Sequence, residues 1–227
     1  MASGLPSVVK IESEDASFSP HIRIHNVVAL ARIKGPLRLD TRLLARKLKN
    51  VQYRGDLKNC FAVTFWFKDC SASATVFKTG SIRLAGAKSE SAALTLMRRV
   101  VRRIARIIEE VRGFDKFRLV NTVGGFETRG FIDRERSYLS LARKHPATYE
   151  PALAMGIMVK LEWLKVTVRI QRQSVQIFGA KRLGDLSLAM QTVMPLLVYV
   201  QEGGSYQWTG RGWGKSTAGG MWFLGES

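Results

Sequence analysis

Apolar and polar residues alternate along Ile22–Ile33 and again along Phe117–Phe126, the period of a strand with one buried face. Each run is followed by a basic, amphipathic stretch that predicts a helix: Leu39–Asn50, with Asp40 or Thr41 near its start, and Ile132–His145. Three short apolar runs come next in each case and predict a β-meander. They are Phe61–Phe67, Ala74–Phe77 and Ser81–Ala85 in the first instance, then Gly156–Leu161, Lys165–Ile170 and Ser174–Phe178 in the second. A long helix closes each series. Over Ser91–Arg112, the residues Leu94, Met97, Val101, Ile104 and Ile108 recur at helical spacing and make one apolar stripe, with Arg98, Arg99, Arg102, Arg103 and Arg106 on the other side. Its counterpart, Leu183–Val200, is apolar on more than one face, and Pro195 should kink or restart its last turns.

The order strand, helix, meander, helix thus occurs twice, and the residues keep a trace of the duplication. Gly86-Ala87-Lys88 recurs 93 residues later as Gly179-Ala180-Lys181. At that offset Ser81 meets Ser174, Ile82 meets Val175 and Leu84 meets Ile177. HNVVA (His25–Ala29) and VNTVG (Val120–Gly124) form a second, collinear pair. The expected class is α+β: two pseudo-symmetric repeats, 21–113 and 114–202, sharing one antiparallel sheet with helices on one face and the other face open. Residues 1–20 and 203–227 are expected to be tails. The second is Gly-rich and holds Trp208, Trp213, Trp222 and Phe223. Its GWGKST segment has the outline of a phosphate loop, but Thr209 stands where that motif needs its first Gly, and no strand is predicted before it.

Charge changes the picture more than composition does. Lys and Arg number 36 against 18 acids, a formal charge of +18. That excess repels itself in the folded state and implies a polyanionic partner, nucleic acid before all others. Cys60 and Cys70 have no zinc-ligand spacing and lie away from His21, His25 and His145, so two reduced thiols and no metal or other cofactor are expected. The N-terminus lacks the basic-then-apolar run of a signal peptide, and the best apolar run, Val193–Val200, is too short to span a bilayer and holds Pro195. An intracellular protein without a membrane role is expected. The acids are scattered and no Ser or Cys has a paired base, which argues against an enzyme.

Over roughly residues 21–201 the chain resembles the TATA-binding protein family. The family's Asn-x-Val strand motif matches at Asn26–Val28 and Asn121–Val123. Its Thr-Gly-Ala-Lys strand ending matches in TGSIRLAGAK (Thr79–Lys88), followed by the family-like Ser89-Glu90, and in the GAK of the second repeat. TYEPALAMG (Thr148–Gly156) resembles the second-repeat stirrup, NVQYRGDLKNCFAV (Asn50–Val63) is a looser first-repeat equivalent, and TVMPLL (Thr192–Leu197) matches the proline-containing last helix.

The resemblance implies a saddle whose concave sheet lies on a widened DNA minor groove and whose convex helices meet other proteins. Family members wedge four phenylalanines between base steps, a few kcal/mol of unstacking per step being offset by the surface that the bend buries. Carried over residue by residue, Asn26 and Asn121 match the central asparagines, Val28 and Val123 the adjacent floor contacts, and Phe77 the first-repeat wedge on the meander strand. Its second-repeat equivalent is Ile170, beside Val168. The stirrup wedges become Ala154 in the second repeat and Cys60, Leu57 or Phe61 in the first. On the last strands, Arg83 and Ala85, then Gln176 and Phe178, replace the family's Val and Thr. Lys88, Lys160 and Lys181 keep phosphate-contact positions, whereas Ser81 and Ser174 replace lysines. For protein partners, the resemblance points to Arg98, Arg99, Arg102, Arg103 and Arg106 on the convex helix and to Tyr149, Glu150 and Pro151 in the stirrup.

At the level of function, the resemblance implies a divergent general transcription initiation factor with a degraded wedge set. It would bind A·T-leaning promoter duplex, general transcription factors of the IIA and IIB type and the RNA polymerase machinery. It would act in the nucleus, or in a viral transcription compartment if virus-encoded. The rival reading is a protein-interaction module that keeps the fold and has lost specific DNA binding.

Overall fold

A computed structural model describes residues 8–9, 21–55, 61–128, 130–153, 156–201, 204–208 and 213–215. In chain order the elements are β1 (Val8–Val9), β2 (Ile22–Lys34), α1 (Thr41–Lys47), β3 (Val51–Arg54), β4 (Ala62–Trp66), β5 (Ser73–Phe77), β6 (Ser81–Ala87) and α2 (Glu90–Ala105). The second series is β7 (Gly113–Glu127), β8 (Phe131–Ile132), α3 (Arg134–Ala142), β9 (Ala147–Thr148), β10 (Ile157–Leu161), β11 (Val166–Ile170), β12 (Ser174–Ala180) and α4 (Leu183–Val193). A 3-10 turn at Met194–Leu196 then leads into β13 (Val198–Gln201), β14 (Gly204–Trp208) and β15 (Trp213–Lys215). The predicted alternation of elements therefore holds in both series.

The chain forms two compact units. One contains Arg23–Gly124 and Phe178–Leu183; the other contains Gly125–Ile177 and the chain from Gly184 on. In the first, the strands follow the order β3-β4-β5-β6-β2-β7, and β3 through β6 with β2 pair antiparallel. Helix α2 packs on β6. It buries Ala93, Leu96, Met97, Val100, Val101 and Ile104, and the sheet buries Val63, Phe65, Val76, Ile82 and Leu84. Each large apolar side chain so enclosed contributes about 1.5–3 kcal/mol. The buried seam is narrower than the predicted stripe: Leu94 is half-buried, and Ile108 lies beyond the helix, which ends at Ala105.

Helix boundaries are set by side-chain caps. Asp40 Oδ1 accepts the N–H groups of Arg42 and Leu43 (3.0 and 2.9 Å), Ser89 Oγ accepts that of Ala92 (3.0 Å), and Asp133 Oδ1 accepts that of Arg136 (3.1 Å). Asp40 and Asp133 stand 93 residues apart, so the two repeats start corresponding helices with the same residue.

In the second unit β12-β11-β10-β9 make one sheet, with β10 and β11 antiparallel from Ile157↔Ile170 to Leu161↔Val166. Two expectations fail here. The helix predicted over Leu183–Val200 stops at Val193, because Pro195 restarts the chain as a 3-10 turn, and Val198–Gln201 is a strand. The segment expected to be a tail supplies β14 and β15, which with β13 and β8 form a four-stranded sheet, β15-β14-β13-β8. Lys215 of the GWGKST segment is thus in a strand paired with Tyr206, where a phosphate loop would lead into a helix.

Candidate nucleic-acid interface

In the first unit the strands turn every second residue away from α2. The registers Gln52↔Thr64, Thr64↔Thr75, Thr75↔Arg83 and Arg83↔Leu30 run these side chains in one row across β3, β4, β5, β6 and β2. A neighbouring row holds Trp66, Ser73 and Ala85, and Phe77 lies opposite Ala62. This face mixes polar and apolar side chains and is partly open: Arg83 is exposed, Phe77, Thr75 and Ala85 are half-buried, Trp66 is 48% exposed, and Thr64 and Ala62 are buried. Phe77 and Arg83 therefore share the strand face turned away from α2. Trp66 was missed, although strict alternation along β4 from the buried Phe65 would have put it outside.

Asn26 and Asn121 occupy corresponding positions and make the same bond. The Gly86 N–H donates to Asn26 Oδ1 at 2.8 Å, and the Gly179 N–H donates to Asn121 Oδ1 at 2.9 Å. Both glycines sit in the left-handed region, with φ of 96° and 93°. The glycine of each GAK is thus the residue that anchors the asparagine of the repeat's first strand. With its oxygen engaged, each amide has its NH2 group as the donor to offer. Lys88, exposed, sends Nζ to the His25 carbonyl (2.6 Å), close to Asn26 in sequence. Lys181 is exposed and Val123 half-buried. Val28 offers little surface: it is 5% exposed, in a strand whose register shifts between Val27 and Ala29.

Phe178 is half-exposed, on the same side of β12 as Gln176 and opposite Val175 and Ile177, so it does not turn into the core. In the second unit Met158, Lys160, Thr167 and Arg169 share one face, and Lys160 is exposed as expected. Val168 and Ile170 do not join it; both are fully buried. The reason is hairpin length. In the first repeat Val76 pairs with Ile82 and Phe77 points outward before the turn. In the second the Gln171 N–H bonds the Ser174 carbonyl (2.8 Å), closing a turn one residue shorter. That slip inverts the exposure pattern of β11 relative to β5 and moves its residues to the other face. Arg169 is what the second repeat presents instead, donating from Nη2 to Gln176 Oε1 at 2.6 Å.

The arginines of α2 separate into two groups. Arg99 pairs with Asp69 (2.7 Å) and lies over the Phe67 ring, and Arg103 lies over Phe65 and donates to the Lys49 carbonyl. The hydrogen bond from Arg99 holds the Asp69 carboxyl below its ordinary range, while burial, and then the charge of Arg99, lowers Arg103. Arg98, Arg102 and Arg106 recur at steps of four, all exposed, with no acid paired to them among the described residues. In the second unit Tyr149 packs against Tyr138 (ring centroids 5.9 Å apart) under Arg134, with Glu150 and Pro151 exposed. Phe61 is half-buried beneath Lys78. Ala154, Cys60 and Leu57 lie outside the described residues. Among the described residues no three His, Cys, Asp or Glu side chains gather as for a metal ion, and no helix is long and apolar enough to cross a membrane.

The strand–helix–meander–helix order occurs twice, with the same asparagine–glycine bond in each repeat. The comparisons agree. Residues 21–110 match the family described as "Transcription factor TFIID (or TATA-binding protein, TBP)". TATA box-binding protein-like 2 of Mus musculus is 28% identical over 176 residues, 77% of this chain and 49% of that protein, so the chain spans about half of that relative. TATA-box-binding protein 2 of Arabidopsis thaliana is 27% identical over 180 residues, 77% of this chain and 84% of that protein. Methanococcus jannaschii TBP shares the fold with a TM-score of 0.67 at 21% identity, over 77% of this chain and 97% of that one. Over residues 21–110 the chain is thus similar to the TATA-binding protein family, and it shares the fold of an archaeal TBP.

Proposed function

We propose that this chain is a divergent, non-enzymatic transcription initiation factor that binds promoter DNA through the minor groove and serves, in the nucleus or a viral transcription compartment, as a platform for the polymerase machinery. The observation that carries the reading is the pair of anchored asparagines. Two amide groups held by equivalent bonds offer donors, and the acceptors N3 and O2 line the minor-groove floor of A·T pairs, whereas G adds a competing donor. Phe77 is the wedge, Arg83 and Gln176 supply further polar contacts, Phe178 and Val123 add apolar ones, and Lys88, Lys160 and Lys181 meet phosphates. Binding should be A·T-leaning and strongly salt-dependent, each neutralised phosphate adding about −0.9 to the log–log slope. Arg98, Arg102 and Arg106, with Tyr149, Glu150 and Pro151, are assigned to protein partners of the IIA and IIB type.

A second reading is favoured by the burial of Val168 and Ile170, which leaves β11 with no apolar wedge. It is a protein-interaction module that has lost specific DNA binding. Fluorescence anisotropy on A·T-rich and G·C-rich duplexes across a salt series separates the two. The DNA-binding reading expects an A·T preference; equal affinity for both duplexes at every salt concentration supports the module.

A further inference from the structure

Outside the sheet face, the strongest concentration of unabsorbed charge is a cleft beside α1. It is an open-sided space of about 500 Å³, the size of a ligand site and not of a trapped water. Arg38, Arg42 and Lys78 reach it from the segment before α1, from α1 itself and from the β5–β6 turn, with Tyr53 and Phe61 as aromatic walls. Arg46, one turn beyond Arg42, extends the basic strip past Tyr53. The parts are held in place. The Leu39 N–H bonds the Lys78 carbonyl (2.8 Å), Arg42 Nε donates to the Tyr53 hydroxyl (3.2 Å), and the Lys78 ammonium lies 5.1 Å from the Phe61 ring centroid. Asp40 is the one acid in the lining, and its Oδ1 already accepts two backbone N–H groups as the helix cap.

The second repeat shows that the fold does not need Arg38, Arg42 or Arg46. It keeps the capping aspartate, Asp133, at the same offset of 93, yet Arg38 becomes Phe131, Arg42 becomes Glu135 and Arg46 becomes Leu139. Lys78 alone keeps a cationic counterpart, Arg172, whose carbonyl accepts the Ile132 N–H (2.7 Å) as that of Lys78 accepts the Leu39 N–H. Three of the four positions lose their positive charge together. Like charges gathered in one place cost free energy unless an anion answers them.

We infer that the α1 cleft is a phosphodiester-binding site that grips the backbone of duplex DNA beyond the footprint of the first unit's sheet. Lys78 lines the cleft and directly follows Phe77, which stands on that sheet face, so a strand held at Phe77 passes the mouth of the cleft. The guanidinium forks of Arg38 and Arg42 suit phosphate oxygens, and Tyr53 adds a hydroxyl donor. The grip is stronger at the first repeat, because the second keeps only one of the four cations. This inference rests on the DNA-binding reading of the sheet face.

The test removes cleft cations, taking the second repeat's residues at the first two positions: Arg42→Glu, Arg46→Leu and Lys78→Gln together, with the milder Arg46→Gln/Lys78→Gln pair should the triple variant not fold. Binding of a 30-base-pair A·T-rich duplex is measured across salt, with hydroxyl-radical footprinting of both strands. The wild type should protect more backbone on one flank of the footprint than on the other. The triple variant should lose that excess and flatten the salt slope by about 2 to 3, the pair by about 2, since each contact contributes about 0.9. A variant that folds, binds and keeps both the flank and the slope overturns the cleft while leaving the sheet-face reading intact. A wild type that binds no duplex overturns both.

Discussion

Gly86 donates its backbone N–H to Oδ1 of Asn26 across 60 residues of sequence, and no side chain larger than hydrogen fits at the donor. A Cβ on Gly86 would lie 2.7 Å from Ala72 Cα, at a φ of 96°. Gly86→Ala should therefore destabilise the protein by about 1–3 kcal/mol, through left-handed strain together with a backbone clash. Urea unfolding of the purified variant measures this. Asn26→Asp is the complementary change. A carboxylate still accepts the Gly86 N–H but cannot donate, so folding should survive while DNA affinity falls at least tenfold.

Phe77→Ala should reduce DNA bending more than affinity, because a wedge acts on the base step and cationic contacts supply most of the binding. End-to-end energy transfer on a labelled duplex reads the bend. An unchanged bend would remove the wedge role from Phe77.

On α2, the arginines available to a partner are Arg98, Arg102 and Arg106, whereas Arg99 and Arg103 belong to the fold through Asp69, Phe65, Phe67 and Lys49. Reversing the first three to Glu should abolish capture of an acidic partner segment and leave the melting temperature within a few degrees. Short-duplex binding should fall only modestly, through long-range charge. Arg103→Ala should instead lower the melting temperature, since it removes a carbonyl bond and an aromatic contact.

Burial pushes the Tyr199 hydroxyl well above its ordinary value of 10.0. The native state thus keeps a proton that the unfolded chain releases. The stabilisation is complete below pH 10 and lost as pH rises above it, by up to about 1.4 kcal/mol per pH unit. Tyr199→Phe should flatten the alkaline limb of a stability–pH curve measured from pH 8 to 11.

The periodicity of the sequence was enough to reveal the duplicated strand–helix–meander–helix order, and Asp40 was one of two residues it offered at a helix start, because those features are local; the matching cap Asp133 came only from the structure. The asparagines were legible from a motif, but their glycine anchors were not, since the bond joins residues about 60 apart. The second repeat misled for a different reason. One residue fewer in the β11–β12 hairpin turns Ile170 inward and Arg169 outward, and a fixed offset of 93 cannot register that slip. Val198–Gln201 reads as the end of an apolar helix until Pro195 is given its full weight, and the strands at Gly204–Trp208 and Trp213–Lys215 hide in a Gly-rich composition.

The central claim is that Asn26 and Asn121, held by their glycines, read the minor groove of duplex DNA. Its most direct test is anisotropy titration of the wild type and the Asn26→Asp/Asn121→Asp double variant on A·T-rich and G·C-rich duplexes of equal length, at 100 mM salt. The account predicts tighter binding of the A·T-rich duplex by the wild type, and a double variant that folds but has lost that preference. A folded double variant with the wild-type preference intact, or a wild type that binds the two duplexes equally, would contradict it.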